Sequence, residues 1–191
     1  MNILIVGVGG QGTLLASRVL GAWAVNQNKD CKLSEVHGMS QRGGSVVTHV
    51  RIGSDVASPV ITEGQADYVI AFETLEAFRW MHYLSQNGTI ILNEGQILPM
   101  PVIMGAADYP ENIPQKIRDS GKNLVVLDAG ALAEKAGNIK AVNIVMIGAF
   151  AKKCAISYDE MEDAMSSSTP ARFLDVNKRA LKYGYEPLDA D

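Results

Sequence analysis

The start of the chain most constrains its fold, because a strand, a glycine loop and a helix follow one another there. Residues 2–6 form a short, β-branched apolar run, which is typical of a strand buried on both faces. Directly after it, Gly7-Val8-Gly9-Gly10-Gln11-Gly12 has the spacing G-x-G-x-x-G. Apolar residues then recur every four positions over residues 12–28, which predicts an amphipathic helix. This order of elements favours an α/β fold.

Strands and helices continue to alternate along the rest of the 191 residues. Further buried strands are predicted for residues 68–72, 89–93 and 123–128. Helices are predicted for residues 73–84, 114–120, 130–136 and 141–155, and for a last segment from Thr169-Pro170 to about Lys182. No linker or repeat interrupts this order, and the length suits one domain over residues 1–191. We therefore expect a three-layer α/β/α, Rossmann-like domain with a mostly parallel sheet.

One pair of strands departs from the parallel pattern. Residues 31–36 and 45–53 both have strand character, and only the eight residues from His37 to Gly44 separate them. A parallel crossover needs about a dozen residues or more, usually including a helix. The two strands are therefore predicted to be antiparallel, which makes the sheet mixed.

The glycine loop at residues 7–12 suggests a ligand site as well as a turn. Glycines let the backbone approach a ligand closely, and the helix N-terminus presents free N–H groups to an anion. Glu35, which lies 23 residues after Gly12, stands near the position of an acid that binds ribose. However, no helix is predicted after Glu35, so the next unit of a dinucleotide fold is missing. Two interpretations stay open: a dinucleotide or phosphate site, and a tight turn that binds nothing.

A second loop, also rich in glycine, connects the two antiparallel strands. It comprises Glu35, Val36, His37, Gly38, Met39, Ser40, Gln41, Arg42, Gly43 and Gly44. Arg42 offers a rigid fork that suits a carboxylate or a phosphate, or else an ion pair that pins the loop. Two roles stay open for His37: a group that changes its charge near neutral pH, and the structural hydrogen-bonding residue that a lone histidine more often is. Ser40 does not lie in a nucleophile elbow, because Arg42 stands where that motif needs glycine.

Cysteine count and charge exclude several classes of function. Cys31 and Cys154 are the only two cysteines and lie 123 positions apart, whereas an iron–sulfur cluster or a cysteine-rich zinc site needs about four thiolates. The 17 Lys and Arg residues and the 21 Asp and Glu residues are spread without long runs of one sign, so they offer no footprint for nucleic acid or a membrane surface. No targeting segment or membrane helix is recognisable, and we expect a cytoplasmic location.

One apolar stretch does not fit the alternation. Residues 97–104 are all nonpolar but include Pro99 and Pro101, which exclude a central strand. We expect either a covered edge strand or an arm that packs on another subunit, with Met100 and Met104 suited to an adaptable interface.

The two glycine loops together resemble the gamma-type domain of the 2-oxoacid:ferredoxin oxidoreductases. The resemblance rests on Gly7-Val8-Gly9-Gly10-Gln11-Gly12 and on His37-Gly38-Met39-Ser40-Gln41-Arg42-Gly43-Gly44. Within that family, the second motif is most similar to that of the beta subunits of the indolepyruvate enzymes. Residues 143–149 and 177–184 also fit the family, so the resemblance covers essentially the whole chain.

The resemblance implies an enzyme subunit and not a complete enzyme. Complexes of this family oxidatively decarboxylate 2-oxoacids with thiamine diphosphate and coenzyme A, and pass the electrons to ferredoxin. Thiamine diphosphate and the iron–sulfur clusters are expected on a larger alpha subunit, and no cofactor is expected on this chain alone. The loops at residues 7–12 and 35–44 are expected to face that partner and to help form the substrate or coenzyme A side of the active site. No catalytic residue is assigned to this chain.

Two alternatives from other classes stay open. The spacing Gly-x-Gly-Gly-x-Gly also occurs in stand-alone NAD(P) oxidoreductases and in adenylating enzymes, and a nucleotide-sensing module without chemistry would carry it too. Binding of NADH or ATP by the isolated chain would favour one of these. A cluster-bearing partner that confers thiamine-dependent 2-oxoacid oxidation would favour the subunit.

Overall fold

The computed structural model describes residues 1–35 and 43–186. Its strands are β1 (Asn2–Val8), β2 (Asp30–Glu35), β3 (Ser45–Gly53), β4 (Ala66–Ala71), β5 (Leu84–Asn93) and β6 (Asn123–Leu127). Its helices are α1 (Thr13–Asn26), α2 (Thr74–Trp80), α3 (Met100–Ile103), α4 (Ile113–Asp119), α5 (Ala129–Ala136), α6 (Val142–Lys153), α7 (Tyr158–Ser168) and α8 (Leu174–Tyr185). Short 3-10 turns lie at Met81–Tyr83, Ile139–Ala141 and Ala171–Phe173. Among these described residues, no helix has the length and apolar character needed to cross a membrane.

The six strands form one mixed sheet in the order β2-β3-β1-β4-β5-β6. β1, β4, β5 and β6 are parallel neighbours, while β3 is antiparallel to both β1 and β2. Three of the five pairings are thus parallel, which confirms the predicted mixed and mostly parallel sheet. The antiparallel pairing of β2 with β3 is also confirmed, with Cys31 opposite Ile52.

Helices cover both faces of the sheet, so the predicted three-layer architecture is confirmed. Successive side chains of a strand point to opposite faces, and β1 therefore contributes to two cores. Ile3 and Ile5 join the core built with α1 and α5 to α8, whereas Leu4 and Val6 join the core built with α2 and α4. All four side chains are fully buried, which explains why the apolar run of β1 is unbroken.

Two predicted helix bounds are wrong, and one of the two alternatives for residues 97–104 is excluded. Residues 97–104 do not form an edge strand, because Pro99 precedes the one-turn helix α3, where Pro101 occupies an early helical position that needs no N–H donor. The last helix begins at Leu174 and not after Pro170, since a 3-10 turn comes first. The helix predicted for residues 73–84 ends at Trp80, and residue 84 already belongs to β5.

Helices α6 and α8 cross at two glycines. A methyl group at Gly148 would overlap the carbonyl oxygen of Leu181, and one at Gly184 would overlap that of Val145. The absence of a side chain at both positions lets the two backbones touch. Asn143, near the start of α6, lies against the N-terminus of α1, where its side chain donates a hydrogen bond to the carbonyl of Gly12.

Candidate functional site

The first glycine loop lies where the chain leaves the sheet in two directions. β1 and β4 are parallel neighbours, so their carboxyl ends lie side by side. From β1 the chain enters α1, which packs on one face, and from β4 it enters α2, which packs on the other. In open α/β sheets, ligands bind in the crevice at such a switch point. Residues 7–12 thus lie at the edge where folds of this class place their ligands.

The side chain of Gln11 joins the two strand ends at this point. Its Oε1 accepts a hydrogen bond from the backbone N–H of Val8 at 2.7 Å, and its Nε2 donates to the carbonyl of Phe72 at 3.0 Å. A Cβ atom at Gly7 would lie only 2.7 Å from Gln11 Oε1. A side chain at Gly7 would displace the glutamine amide from this bridge, so Gly7 has a packing role that is independent of any ligand.

Gln11→Ala should lower the free energy of unfolding by about 1–3 kcal/mol, because the Val8 N–H and the Phe72 carbonyl each lose a partner. Chemical denaturation measures this difference. Gln96→Ala, at an exposed glutamine, is the control and should change the value by less than about 0.5 kcal/mol. Equal stability of the two variants would show that the glutamine bridge does not hold the strand ends in solution.

Gly12 is fixed by a residue far along the chain. It has a left-handed backbone with φ 84°, and its carbonyl accepts a hydrogen bond from Asn143 Nδ2 at 3.2 Å. A Cβ atom here would lie 2.5 Å from the same amide nitrogen. Gly10 is also left-handed, but nothing lies within 4 Å of the place its Cβ would take. Gly12 is thus a packing position, whereas Gly10 faces open space.

The two glycine loops contact each other. The N–H of Gly9 donates a hydrogen bond to the carbonyl of Gly44 at 2.9 Å. Ser45, the next residue, donates its hydroxyl to the carboxylate of Glu76 on α2. The end of the second loop is therefore tied both to the first loop and to the helix that follows β4.

The beginning of the second loop is tied to α1. Glu35 accepts a hydrogen bond from the hydroxyl of Ser17 at 2.7 Å, so the carboxylate considered for ribose binding has a partner within the chain. The other predicted residues lie outside the described residues, and their roles stay predictions: His37, Gly38, Met39, Ser40, Gln41 and Arg42.

Sequence analysis missed two buried carboxylates, Glu73 and Glu76, each only 1% exposed. Glu73 follows β4 and caps α2, because one of its oxygens accepts from the N–H of Glu76 at 2.8 Å. Its other oxygen accepts from the N–H of Ile97 and from the hydroxyl of Tyr109. Burial and the hydrogen bond to Glu73 raise the pKa of Tyr109, which keeps this hydroxyl protonated as a donor.

Glu76 is satisfied by groups on its own helix and on β3. It forms an ion pair with Arg79 at 2.6 Å and accepts a hydrogen bond from the indole N–H of Trp80 at 3.2 Å, besides that from Ser45. The spacing Glu-x-x-Glu directly after a predicted strand was the sole sequence signal for these two acids. That spacing is equally typical of an exposed helix, and so it did not identify them.

Two clefts flank the joined loops. The first, about 240 Å³, lies at the N-terminus of α1 between Gly9, Gly10, Gly12, Thr13 and Thr48. The second, about 220 Å³, lies between Gly44, Ser45, Glu73, Glu76, Arg79 and Leu98. The first presents backbone N–H groups at a helix N-terminus, which suits an anion. The second presents carboxylates, one guanidinium and apolar side chains.

Comparison with known proteins identifies the family. A family model described as pyruvate ferredoxin/flavodoxin oxidoreductase matches residues 2–187. The chain belongs to this family. It is 41% identical over 188 residues to indolepyruvate oxidoreductase subunit IorB of Thermococcus kodakarensis, a match covering 96% of this chain and 93% of that protein. It is 40% identical over 189 residues to the IorB subunit of Archaeoglobus fulgidus, covering 97% and 94%.

Two solved structures share the fold. The gamma subunit of a keto/oxoacid ferredoxin oxidoreductase from Geobacter sulfurreducens matches with a TM-score of 0.71 at 22% identity, over 97% of this chain and 96% of that one. A 2-oxoglutarate:ferredoxin oxidoreductase from Magnetococcus marinus, solved with 2-oxoglutarate, coenzyme A and succinyl-CoA bound, gives 0.72 at 16% identity. That match covers 96% of this chain but 30% of the longer one. The fold therefore occurs both as a separate chain and within a larger one.

The family resemblance inferred from the glycine loops is confirmed, and the chain is a small subunit of a 2-oxoacid:ferredoxin oxidoreductase. Its two cysteines are too few for an iron–sulfur cluster, which takes about four thiolates. Burial raises the pKa of Cys154 to about 11 and also raises that of Cys31, so both are protonated at neutral pH. Within residues 1–35 and 43–186, no group of three or more His, Cys, Asp or Glu is placed to hold a metal ion. The described part of the chain therefore does not fit an iron–sulfur cluster.

Proposed function

We propose that the complex containing this chain acts on arylpyruvates such as indolepyruvate. One observation carries the proposal: four relatives that are 37–41% identical, matched along at least 93% of their length, are all named as indolepyruvate oxidoreductase subunits. Relatives named for pyruvate or ketoisovalerate enzymes are 22–26% identical. The gap in identity favours the indolepyruvate branch of the family.

The proposed reaction is divided between two subunits. The 2-oxoacid loses carbon dioxide, its acyl group passes to coenzyme A, and two electrons pass to ferredoxin. Thiamine diphosphate and the iron–sulfur clusters are assigned to a larger alpha subunit, and ferredoxin is a partner of the whole complex. The two cysteines of this chain, which are too few for a cluster, support that assignment, as do the described residues, which place no three His, Cys, Asp or Glu side chains together.

This chain contributes its two glycine loops to the shared active site. Residues 7–12 and 35–44 face the larger subunit and form the substrate or coenzyme A side of the site. The hydrogen bond between Gly9 and Gly44 supports this placement, since it brings both loops to one edge of the sheet. The N–H groups at the start of α1 suit a carboxylate or a phosphate. Arg42 binds that anion, and His37 donates a hydrogen bond or transfers a proton.

The substrate class is tested on the complex of this chain with its larger subunit. Ferredoxin reduction is measured with pyruvate, 2-oxoglutarate and indolepyruvate under the same conditions. We expect kcat/KM to be highest with indolepyruvate, by about tenfold or more, because a pocket shaped for an aryl group binds the smaller acids poorly. A preference for pyruvate or 2-oxoglutarate would contradict the proposed substrate.

Arg42→Ala tests the proposed anion contact. Loss of a charge-assisted hydrogen bond worth about 1.5–3 kcal/mol should lower kcat/KM of the complex by about 10- to 150-fold. Arg118→Ala, at an exposed arginine of α4, is the matched control and should leave kcat/KM unchanged. Full activity of the Arg42→Ala complex would remove this residue from ligand binding.

A nucleotide-dependent enzyme or a nucleotide sensor is the alternative function, and the cleft at the N-terminus of α1 is the observation that favours it. A ligand at about 100 times its Kd stabilises its protein by about 2.7 kcal/mol, which a thermal shift detects. The proposed subunit function predicts no shift of the isolated chain with NADH or ATP. A clear shift with either nucleotide would support the alternative.

A further inference from the structure

Residues 97–107 form an unbroken nonpolar stretch of the sequence, which we call the apolar arm. All eleven residues are nonpolar, and no charged side chain lies between Glu94 and Asp108. Five large side chains of the arm are strongly exposed: Ile97 41%, Leu98 49%, Met100 63%, Ile103 62% and Met104 73%. Exposed apolar side chains are ordinarily scattered singly, whereas a continuous patch marks an interaction site.

The apolar arm is held at both ends by one buried carboxylate. Glu73 Oε1 accepts hydrogen bonds from the N–H of Ile97, where the arm begins, at 3.2 Å, and from the hydroxyl of Tyr109, just past its end, at 2.5 Å. Within the arm, the N–H of Ala106 donates to the carbonyl of Pro101 at 2.8 Å. The exposed side chains therefore project from a closed, internally bonded loop.

The size of the patch indicates what kind of contact it makes. The exposed parts of the five side chains amount to roughly 500 Å², compared with about 800 Å² buried on each side of a standard interface. The rest of such an interface must come from the surface beside the arm. Residues 97–100 also line the second cleft, opposite Gly44 and Ser45. The apolar surface is thus continuous with the end of the second glycine loop.

We infer that the apolar arm is the surface on which the larger partner subunit docks, so that the second cleft closes against that subunit. This inference rests on the proposed function, in which the second glycine loop faces the partner. In the Magnetococcus marinus protein the matching region is 30% of one longer chain. The IorB relatives, of which the match covers 93–95%, are instead separate chains. Where the two parts are separate chains, a noncovalent contact must hold them together in place of the covalent chain connection.

The chemistry of the arm also defines the face that meets it. A charged group pressed against this uncharged surface would lose its hydration without gaining a partner. The docking face of the larger subunit is therefore apolar. Met100 and Met104 adapt to its contour, since methionine is flexible and is enriched at interfaces.

Two double variants test the arm. Met100→Asp/Ile103→Asp places charges on two exposed side chains of the arm and touches no buried one. The matched control, Val25→Asp/Ile139→Asp, changes side chains of similar exposure, 66% and 50%, elsewhere on the chain. Each chain is titrated into the purified larger subunit, and Kd is measured by interferometry. Melting temperatures and sedimentation of the isolated chains are recorded in parallel.

We expect the arm variant to raise Kd by at least about 100-fold and the control by less than about threefold, with both chains melting near the wild-type temperature. An arm variant that binds with the wild-type Kd would overturn the inference and leave the proposed function standing. Failure of the wild-type chain itself to bind the larger subunit would overturn both.

A second copy of the chain is the other occupant that the experiment detects. The inference would be overturned if the wild-type chain is a dimer, the arm variant alone is a monomer, and Kd for the larger subunit is unchanged. That result would assign the arm to self-association. If the aspartate variant does not fold, Met100→Ser/Ile103→Ser replaces it in the comparison. We expect this serine variant to raise Kd about tenfold, and an unchanged Kd would contradict the inference.

Discussion

Replacement of Glu73 by alanine is expected to lower the free energy of unfolding by about 3–5 kcal/mol, a large share of the total for a domain of this size. The carboxylate accepts hydrogen bonds from three donors, the N–H groups of Glu76 and Ile97 and the hydroxyl of Tyr109. The side chain is 1% exposed, and a buried donor left without its acceptor costs about 1–3 kcal/mol. Urea denaturation followed by circular dichroism measures the difference.

Two further variants isolate the cause of this loss. Glu73→Gln keeps one acceptor oxygen and should cost about half as much. Glu94→Ala removes a nearby exposed glutamate and should change stability by less than about 0.5 kcal/mol. Glu73→Ala should also release the apolar arm and weaken binding to the larger subunit, which Glu94→Ala should not. Equal stability of the Glu73→Ala and Glu94→Ala chains would contradict the role of Glu73 as the acceptor that holds the arm.

Gly148→Ala is expected to destabilise the chain by about 3 kcal/mol. A Cβ at this position would overlap the carbonyl oxygen of Leu181 and would lie 3.0 Å from backbone atoms of Gly184 and Tyr185. These are backbone atoms of α8, so the clash is relieved only if one helix moves away from the other. Because α6 also carries Asn143, such a movement would disturb the hydrogen bond to Gly12 as well.

Gly21→Ala is a control that is expected to raise the stability of the chain instead of lowering it. Gly21 lies inside α1, and the nearest atom to its added Cβ is Leu33 Cδ1 at 3.6 Å, an ordinary contact. Alanine is favoured over glycine in a helix, so this change should raise stability by about 0.5–1 kcal/mol. Thermal and urea unfolding of both variants checks the pair. A Gly148→Ala chain as stable as Gly21→Ala would rule out the close crossing of α6 and α8.

Much of the sheet was predictable because the residue pattern of β1 and β3 alone indicates which of their side chains are buried. The unbroken apolar run of β1 reflects burial on two faces, and the bounds of β3, Ser45–Gly53, agree with the prediction at both ends. The antiparallel pairing of β2 with β3 followed from the length of the loop between them. The family followed from two short glycine motifs taken together, since the first motif alone is not specific.

The buried acids and the form of the apolar arm were not predictable, because both depend on distant partners. Glu73 is held by donors at Ile97 and Tyr109, which lie 24 and 36 positions further along the chain. Glutamate is rarely buried, so its residue type argues for exposure until those donors are known. Two prolines in the arm exclude a central strand, but they are equally compatible with an edge strand and with a one-turn helix.

Reconstitution of the complex from its separate chains tests most directly whether the two subunits have the different roles proposed for them. A fixed amount of the purified larger subunit, with indolepyruvate, coenzyme A and oxidised ferredoxin, is titrated with this chain while ferredoxin reduction is followed by absorbance. Neither protein alone should reduce ferredoxin above background, and the rate of the mixture should rise to a plateau at about equal amounts of the two chains, as a stoichiometric complex requires. Ferredoxin reduction by this chain alone, or a larger subunit whose full rate is unchanged by its addition, would contradict this division of roles.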